Sequence, residues 1–255
     1  MKRALKILVL LVLFSCTFVS ASNKFVNKNN IEMSETEYTN LLNLGFTNNE
    51  IMNMKSTEFE ANKDLVGTIV SQKTIDSADN KIQLLSSGYV NNIDKKTTIS
   101  IISVNGSYRY KVTVEWKKMP SARSYDIMGI GIDPTVKVYS GLYFQINYCY
   151  TNGNCSNNGV FTHKVSSTGA TGVFKLPSGS LSSMSAYLYF DVAKNTNSTI
   201  TKLNAYGDYA HAMRSISLEN AKKHSINRGG ISLESSISSY YDNMTTATTS
   251  LNCNW

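Results

Sequence analysis

The sequence predicts a mainly β (α+β) protein, in which a small N-terminal helical hairpin precedes an antiparallel β-sandwich-like domain. The first observation is a pair of alternating runs, TTISIISV and SYRYKVTVEW, joined by Asn105-Gly106. The second is a series of later runs with apolar residues at every second position, separated by Gly, Asn and Ser. The third is a pair of helix-capping motifs near the N terminus. We expect three segments: a signal peptide (1–21), a polar leader with the helical hairpin (22–64) and the β domain (65–255).

The Asn105-Gly106 pair predicts a β-hairpin, because a type I′ turn needs positive φ at both central residues. With Val104 opposite Ser107, one face is mostly apolar and the other is mostly polar. We therefore expect the first face to pack in the core and the second to meet solvent. The expected core face holds Ile99, Ile101, Ser103, Tyr108, Tyr110, Val112, Val114 and Trp116, and the expected solvent face holds Thr98, Ser100, Ile102, Val104, Arg109, Lys111, Thr113 and Glu115.

Two capping boxes predict the helical hairpin. Ser34 is followed three residues later by Glu37, and Thr47 by Glu50, so each pair can satisfy free N–H groups at a helix start. Gly45 is expected to end the first helix in a left-handed conformation.

The first residues resemble a secretory signal, with an n-region containing Lys2 and Arg3, an apolar run and small residues at Val19-Ser20-Ala21. A second interpretation is a lipobox ending at Cys16, which would leave the protein lipid-anchored. Export to an oxidising compartment permits a disulfide between Cys149 and Cys155 across a short polar loop. Cys253 then has no assigned partner. No other stretch is apolar enough to predict a transmembrane span.

Charge gives no sign of nucleic-acid binding. Removing residues 1–21 takes away three of the 25 basic residues and none of the 18 acidic ones, which leaves a mild formal charge of +4. We also expect no cofactor and no metal, because the common catalytic and phosphate-binding motifs are missing.

Two sets of residues are candidates for function. Asp208 and His211, three apart, would share one face of a helix, and with His224 downstream they could form an acid–base site, although a turn residue beside a structural histidine is the alternative. Tyr143, Tyr187 and Tyr189 fall on the strand faces opposite the predicted core. If exposed, they could form an aromatic platform for a glycan, and cross-strand packing is the alternative.

Several phrases of the chain, SETEYTNLLNLGFTNNEI, VTVEWKKMPSARSYDIMGIGI and YGDYAHA among them, resemble secreted proteins of low-GC Gram-positive bacteria with no established activity. The resemblance implies export and a shared domain, and it brings no site residues. We expect a secreted, non-catalytic protein of the extracellular space or cell envelope that binds a glycan or protein partner. The alternatives are a hydrolase built around Asp208, His211 and His224, and a membrane-active β-protein.

Export can be tested by mass spectrometry of the protein from the producing culture. We expect a mature chain that begins at Ser22, because signal peptidase cleaves after small residues. A lipidated N terminus at Cys16 would support the lipoprotein interpretation, and a chain that retains Met1 would contradict both.

Overall fold

Two antiparallel sheets enclose the main apolar core, as the alternating runs predicted. The computed structural model describes residues 24–77, 94–158, 162–242 and 245–255. The predicted signal peptide, with Cys16, lies outside the described residues. No helix within these ranges has both the length and the apolar character needed to cross a membrane.

The described residues form fifteen strands and five helices. The strands are β1 (Lys24–Val26), β2 (Glu32–Ser34), β3 (Gly67–Asp76), β4 (Lys95–Val104), β5 (Ser107–Trp116), β6 (Tyr125–Ile132), β7 (Val136–Tyr150), β8 (Cys155–Asn158), β9 (Thr162–Ser166), β10 (Gly169–Lys175), β11 (Leu181–Lys194), β12 (Lys202–Ala210), β13 (His224–Asn227), β14 (Gly230–Leu233) and β15 (Ala247–Asn252). The helices are α1 (Glu35–Asn43), α2 (Asn48–Asn53), α3 (Ser56–Asn62), α4 (Leu218–Ala221) and α5 (Ser235–Ser238).

The larger sheet has six strands in the order β3-β4-β5-β11-β7-β8, and the facing sheet has five in the order β15-β12-β6-β10-β9. Val104 pairs with Ser107, and Asn105 and Gly106 have φ values of 48° and 79°, which confirms the predicted hairpin and its register. The predicted core face of this hairpin supplies six residues to the apolar core: Ile99, Ile101, Tyr110, Val112, Val114 and Trp116.

The other face of the hairpin is also buried, so the prediction that it meets solvent is wrong. Helices α1–α3 cover it, and their apolar residues pack against Ile102, Val104 and the tyrosines of β11. Both predicted capping boxes form, and Gly45 has a φ of 78°. The helical segment therefore acts as a third layer on the six-stranded sheet.

A buried ion pair joins this helical layer to the sheet. Lys111 Nζ lies 2.6 Å from Glu50 Oε2, and the two side chains are 2% and 0% exposed. The ammonium also donates to the carbonyl oxygen of Gly45 at 2.7 Å, while Thr113 donates to the other Glu50 oxygen at 3.2 Å. The polar residues that made this strand face look solvated instead bind the polar groups of the helices.

A second charged contact lies beside the first. Arg109 Nε donates to Asp191 at 2.7 Å and its Nη1 donates to Asn62 Oδ1 at 2.5 Å. The guanidinium also stacks over the ring of Tyr189, 4.5 Å from its centroid. Strand β5 thus holds both α2 and α3 through charged side chains.

The C-terminal segment covers the outer face of the five-stranded sheet with α4, the β13–β14 hairpin and α5. Gly131 lets the hairpin approach, because a Cβ at this position would collide with the carbonyl oxygen of Asn227. The Gly-Ile-Gly stretch of β6 therefore serves strand packing, and both sheets are covered on their outer faces.

We predict that Lys111→Met strongly destabilises the fold. Removing one partner of a buried pair leaves an uncompensated charge and costs about 3–5 kcal/mol in the free energy of unfolding. Urea titration measures this value. Adding Glu50→Gln should recover part of the loss, because it removes the stranded charge while keeping an acceptor for the Thr47 N–H.

Lys24→Met is the matched control, because Lys24 and Glu32 pair at 2.7 Å with both side chains more than half exposed. It should change stability far less than Lys111→Met, since solvent screens an exposed pair. Equal effects of the two substitutions would contradict the account.

Candidate functional site

Asp208 and His211 lie on opposite sides of the five-stranded sheet, so the predicted acid–base face does not form. The helix that such a face requires is absent, because β12 continues through Ala210. Side chains alternate along a strand, and residues three apart therefore point to opposite faces. The Asp208 side chain faces the C-terminal layer, and His211 faces the space between the sheets.

Asp208 anchors the β13–β14 hairpin. Its Oδ2 accepts a hydrogen bond from the Ile231 N–H at 2.7 Å, and its Oδ1 accepts one from the Tyr209 N–H at 2.8 Å. Burial raises the pKa of this carboxyl to about 6, and the backbone donors oppose the shift. These contacts give Asp208 a structural role in holding the outer layer.

His224 lies in the same outer layer and has its own partners. Its Nε2 lies 2.8 Å from Thr171 Oγ1, and its Nδ1 lies 2.8 Å from the Ala221 carbonyl oxygen. Burial lowers its pKa, so the ring is biased towards the neutral form. In the part of the chain that the structure describes, Asp208, His211 and His224 form no hydrogen bond with one another.

His211 instead belongs to a buried polar cluster between the sheets that the sequence reasoning missed. Its Nδ1 lies 2.9 Å from Asp126 Oδ2, which also bonds to the Tyr209 hydroxyl. The second oxygen of Asp126 accepts the Ala212 N–H at 2.9 Å. Burial, followed by the charge of Asp126, raises the Tyr209 pKa well above its usual value, so the phenol stays protonated and donates to Asp126.

The same cluster contains a second buried ion pair. Lys95 Nζ lies 2.5 Å from Asp242 Oδ2, and the side chains are 0% and 2% exposed. The backbone N–H of His211 donates to Asp242 Oδ1 at 2.8 Å. Lys95 also lies over the Tyr209 ring, 4.8 Å from its centroid. We refer to Lys95, Asp126, Tyr209, His211 and Asp242 as the inter-sheet cluster.

Strand parity could have revealed part of this cluster. Lys95 has the same odd-numbered parity as Ile99 and Ile101, and Asp126 has the same parity as Met128 and Ile130, so each points towards the core. Asp242 lies outside a strand and gave no comparable signal. Within the described residues, no group of three or more His, Cys, Asp and Glu side chains is arranged to hold a metal ion.

The three candidate tyrosines do stack, with adjacent rings nearly parallel. The ring centroids of Tyr143 and Tyr189 are 5.5 Å apart, and those of Tyr187 and Tyr189 are 6.4 Å apart with an interplanar angle of 4°. The Tyr187 ring is also stacked with Tyr143 at 6.2 Å. The predicted common face is therefore present.

The exposure that a glycan platform requires is absent for Tyr187 and Tyr189, which are 0% and 3% exposed. The helical layer covers them, and Phe46 meets both rings edge-on. Glu58 Oε2 accepts the Tyr187 hydroxyl at 2.7 Å, and the Asn62 amide donates to the Tyr189 hydroxyl at 3.1 Å. The stack is part of the interface between helices and sheet.

The predicted cysteine pair is present. Cys149 and Cys155 have their sulfur atoms at disulfide distance across the β7–β8 turn. Cys253 is the free cysteine of the described chain, and its thiol donates to the Ile200 carbonyl oxygen at 3.2 Å.

Comparison with known proteins gives little guidance. No family model matches the chain, and no curated protein matches it. Among solved structures, the chain is similar to the enzymatically active domain of tailspike protein 4 from bacteriophage CBA120, with 15% identity and a TM-score of 0.24. The similarity covers 51% of this chain and 17% of that protein, so this chain spans a small part of the phage protein.

We predict that Glu58→Gln stabilises the protein above neutral pH. Burial raises the Glu58 pKa from 4.5 to about 7, so the folded state binds a proton more tightly than the unfolded state. As the pH rises from 4.5 to about 7, the wild type loses stability, because its folded state gives up the extra proton. The neutral Gln side chain avoids this loss. Urea unfolding at pH 5 and pH 8 should show the difference between variant and wild type growing in favour of Gln.

Glu35→Gln, at an exposed position of α1, is the control and should shift stability similarly at both pH values. If the difference in unfolding free energy between Glu58→Gln and the wild type is independent of pH, burial does not raise the pKa of Glu58.

Proposed function

We propose that the chain is an exported, non-catalytic β-sandwich module that binds a protein partner. Export is supported by the signal-like N terminus and by the Cys149–Cys155 pair, because disulfides persist in oxidising compartments outside the cytosol. The binding surface is an apolar corner where the end of α1 meets the start of β3.

The arrangement of the candidate catalytic residues supports a non-catalytic role. Asp208 holds a backbone N–H of the β13–β14 hairpin, His224 is bonded to Thr171, and His211 is bonded to Asp126 on the other side of the sheet. A general acid–base pair must approach the same substrate atom. The separation of these groups leaves the hydrolase alternative without geometric support.

The observation that carries the proposal is a set of exposed apolar side chains on two adjoining elements, the end of α1 and the start of β3. Val66 is 69% exposed, Val70 38%, Ile69 36% and Leu42 36%. Gly45 lies between these two elements. Its N–H donates to the Leu42 carbonyl oxygen of α1, and a Cβ built on Gly45 would lie 3.6 Å from the Ile69 side chain of β3. We call these four residues the β3 corner; grouped apolar exposure of this kind marks interaction sites.

The position of β3 indicates the kind of partner. It is the edge strand of the six-stranded sheet, and Val70 is the extra residue of a bulge between Ile69 and Ser71. From Ser71 onwards the edge approaches β15, where the Ser71 hydroxyl bonds to the Ser250 carbonyl oxygen at 2.7 Å. Within the described ranges no strand pairs with the outer edge of the first half of β3, which could therefore receive an extended, apolar segment of a partner protein by strand addition.

A glycan is a less suitable partner for the tyrosine stack. Sugar rings stack on exposed aromatic faces, whereas Tyr187 and Tyr189 lie under α1–α3. A glycan could reach them only by displacing the helical layer, which would expose the Lys111–Glu50 pair. Burial of the stack therefore favours a protein partner.

The β3 corner can be tested by affinity capture from the producing culture with quantitative mass spectrometry. Wild type should enrich a specific protein, and Val66→Glu with Val70→Glu should reduce its recovery by about tenfold or more, because charges at an apolar contact remove hot-spot energy. Val165→Glu is the matched control, since Val165 is 51% exposed on β9 of the other sheet.

Equal recovery by the wild type and the corner variant would overturn the β3 corner as the binding surface. Retention of the wild type on purified cell-wall polysaccharide, with no protein enriched, would favour the glycan hypothesis instead.

A further inference from the structure

We propose that Lys95 and Asp242 condense spontaneously in the folded protein to form an intramolecular amide bond between their side chains. Lys95 Nζ and Asp242 Oδ2 are 2.5 Å apart, in a site where both side chains are almost completely shielded from solvent. The pair lies between the two sheets, and folding alone brings these residues, 147 positions apart in the chain, into contact.

The hydrogen bonding of Lys95 is incomplete for a charged ammonium. An ammonium group has three N–H donors. Among the residues that the structure describes, Asp242 is the one hydrogen-bond acceptor of Lys95 Nζ, and the Tyr209 ring faces it at 4.8 Å. A buried ammonium with unsatisfied donors is costly. An amide nitrogen is neutral and keeps a single N–H, so condensation removes the buried charge and reduces the unpaired donors from two to one.

The Lys111–Glu50 pair provides a contrast within the same protein. Its ammonium donates to both Glu50 and the Gly45 carbonyl oxygen and contacts two aromatic rings. Its carboxylate also accepts from Thr113 and from the Thr47 N–H. This pair has one more acceptor for its ammonium and more donors to its carboxylate than the Lys95–Asp242 pair, so we expect it to remain an ion pair.

The carboxyl of Asp242 is held in a position that favours attack by the Lys95 amine. Its Oδ1 accepts the His211 backbone N–H at 2.8 Å, and this oxygen becomes the carbonyl oxygen of the new amide. A fixed backbone donor stabilises the negative charge that develops on such an oxygen when a nucleophile adds to the carboxyl carbon. The other oxygen, Oδ2, faces the amine.

The condensation balances without an added reagent. One proton passes from the Lys95 ammonium to Asp242 Oδ2, and the amine lone pair then attacks Cγ to form the C–N bond. A second proton then passes from nitrogen to the Oδ2 hydroxyl, the Cγ–Oδ2 bond breaks, and Oδ2 departs as water. Hydration of two separated ions opposes this reaction in bulk water, whereas burial removes that hydration and the neutral amide avoids the cost of two buried charges.

The bond would fasten the sandwich across its layers. Lys95 begins β4 of the six-stranded sheet, and Asp242 follows Tyr241, which forms a bridge with Ala212 next to β12 of the five-stranded sheet. The Asp242 N–H also donates to the His211 carbonyl oxygen at 2.9 Å. A covalent link here would close a long loop and restrict separation of the C-terminal segment from the sheets.

Intact mass spectrometry of the denatured, reduced protein tests the proposal. Wild type should be lighter than its sequence by one water molecule, and protease digestion should yield a branched peptide joining the Lys95 and Asp242 segments. Lys95→Arg keeps a positive charge but removes the nucleophilic amine, and Asp242→Ala removes the carboxyl, so each should restore the full mass. Lys111→Arg should keep the water deficit.

A wild-type mass equal to that of the sequence, even after prolonged incubation of the folded protein, would overturn the proposal. A water deficit that persists in Lys95→Arg without a branched peptide would also overturn it, because the loss would then arise elsewhere. If the variants do not fold, the branched peptide of the wild type decides the matter: its presence supports the amide, and its absence rejects it.

Discussion

The buried contact between Lys111 and Glu50 is the interaction on which the layered arrangement depends. Glu50 both caps α2 and neutralises a lysine of the central sheet, so the start of the helix and its docking on β5 are coupled. A lysine on a sheet face without this carboxylate would require solvent, and the helices could not cover it. The adjoining Arg109 donates to Asp191 of β11 and to Asn62 of α3, and so holds α3 on the same sheet.

Contacts at the layer boundaries bury the candidate reactive groups of the described residues. The helices bury Lys111 and the tyrosine stack, the space between the sheets holds the inter-sheet cluster, and the C-terminal layer covers Asp208 and His224. The polar groups of each set bond to residues of neighbouring segments of the fold. The exposed apolar residues at the β3 corner remain outside this internal network, which is why our functional proposal rests on them.

Local patterns predicted the local structure well. The Asn105-Gly106 turn, its register and both capping boxes follow from interactions between residues close in sequence, and all are present. The failures concern what covers each surface. The polar alternation of β5 could not show that Lys111 has a partner 61 residues away. The spacing of Asp208 and His211 suits one face of a helix, whereas the side chains of β12 alternate with a period of two. A better signal lay in SAYLYFDV of β11, whose nearly continuous apolar run is typical of a strand buried on both faces.

Native-state hydrogen exchange tests most directly whether the helical layer is an integral part of the fold. The amides of α1–α3 should exchange only through global unfolding, with the same opening free energy and denaturant dependence as the central amides of β5 and β11. Exchange of the helical amides at a much lower opening free energy, while β5 and β11 stay protected, would show that the helices detach independently. That result would contradict the central role assigned to the Lys111–Glu50 contact.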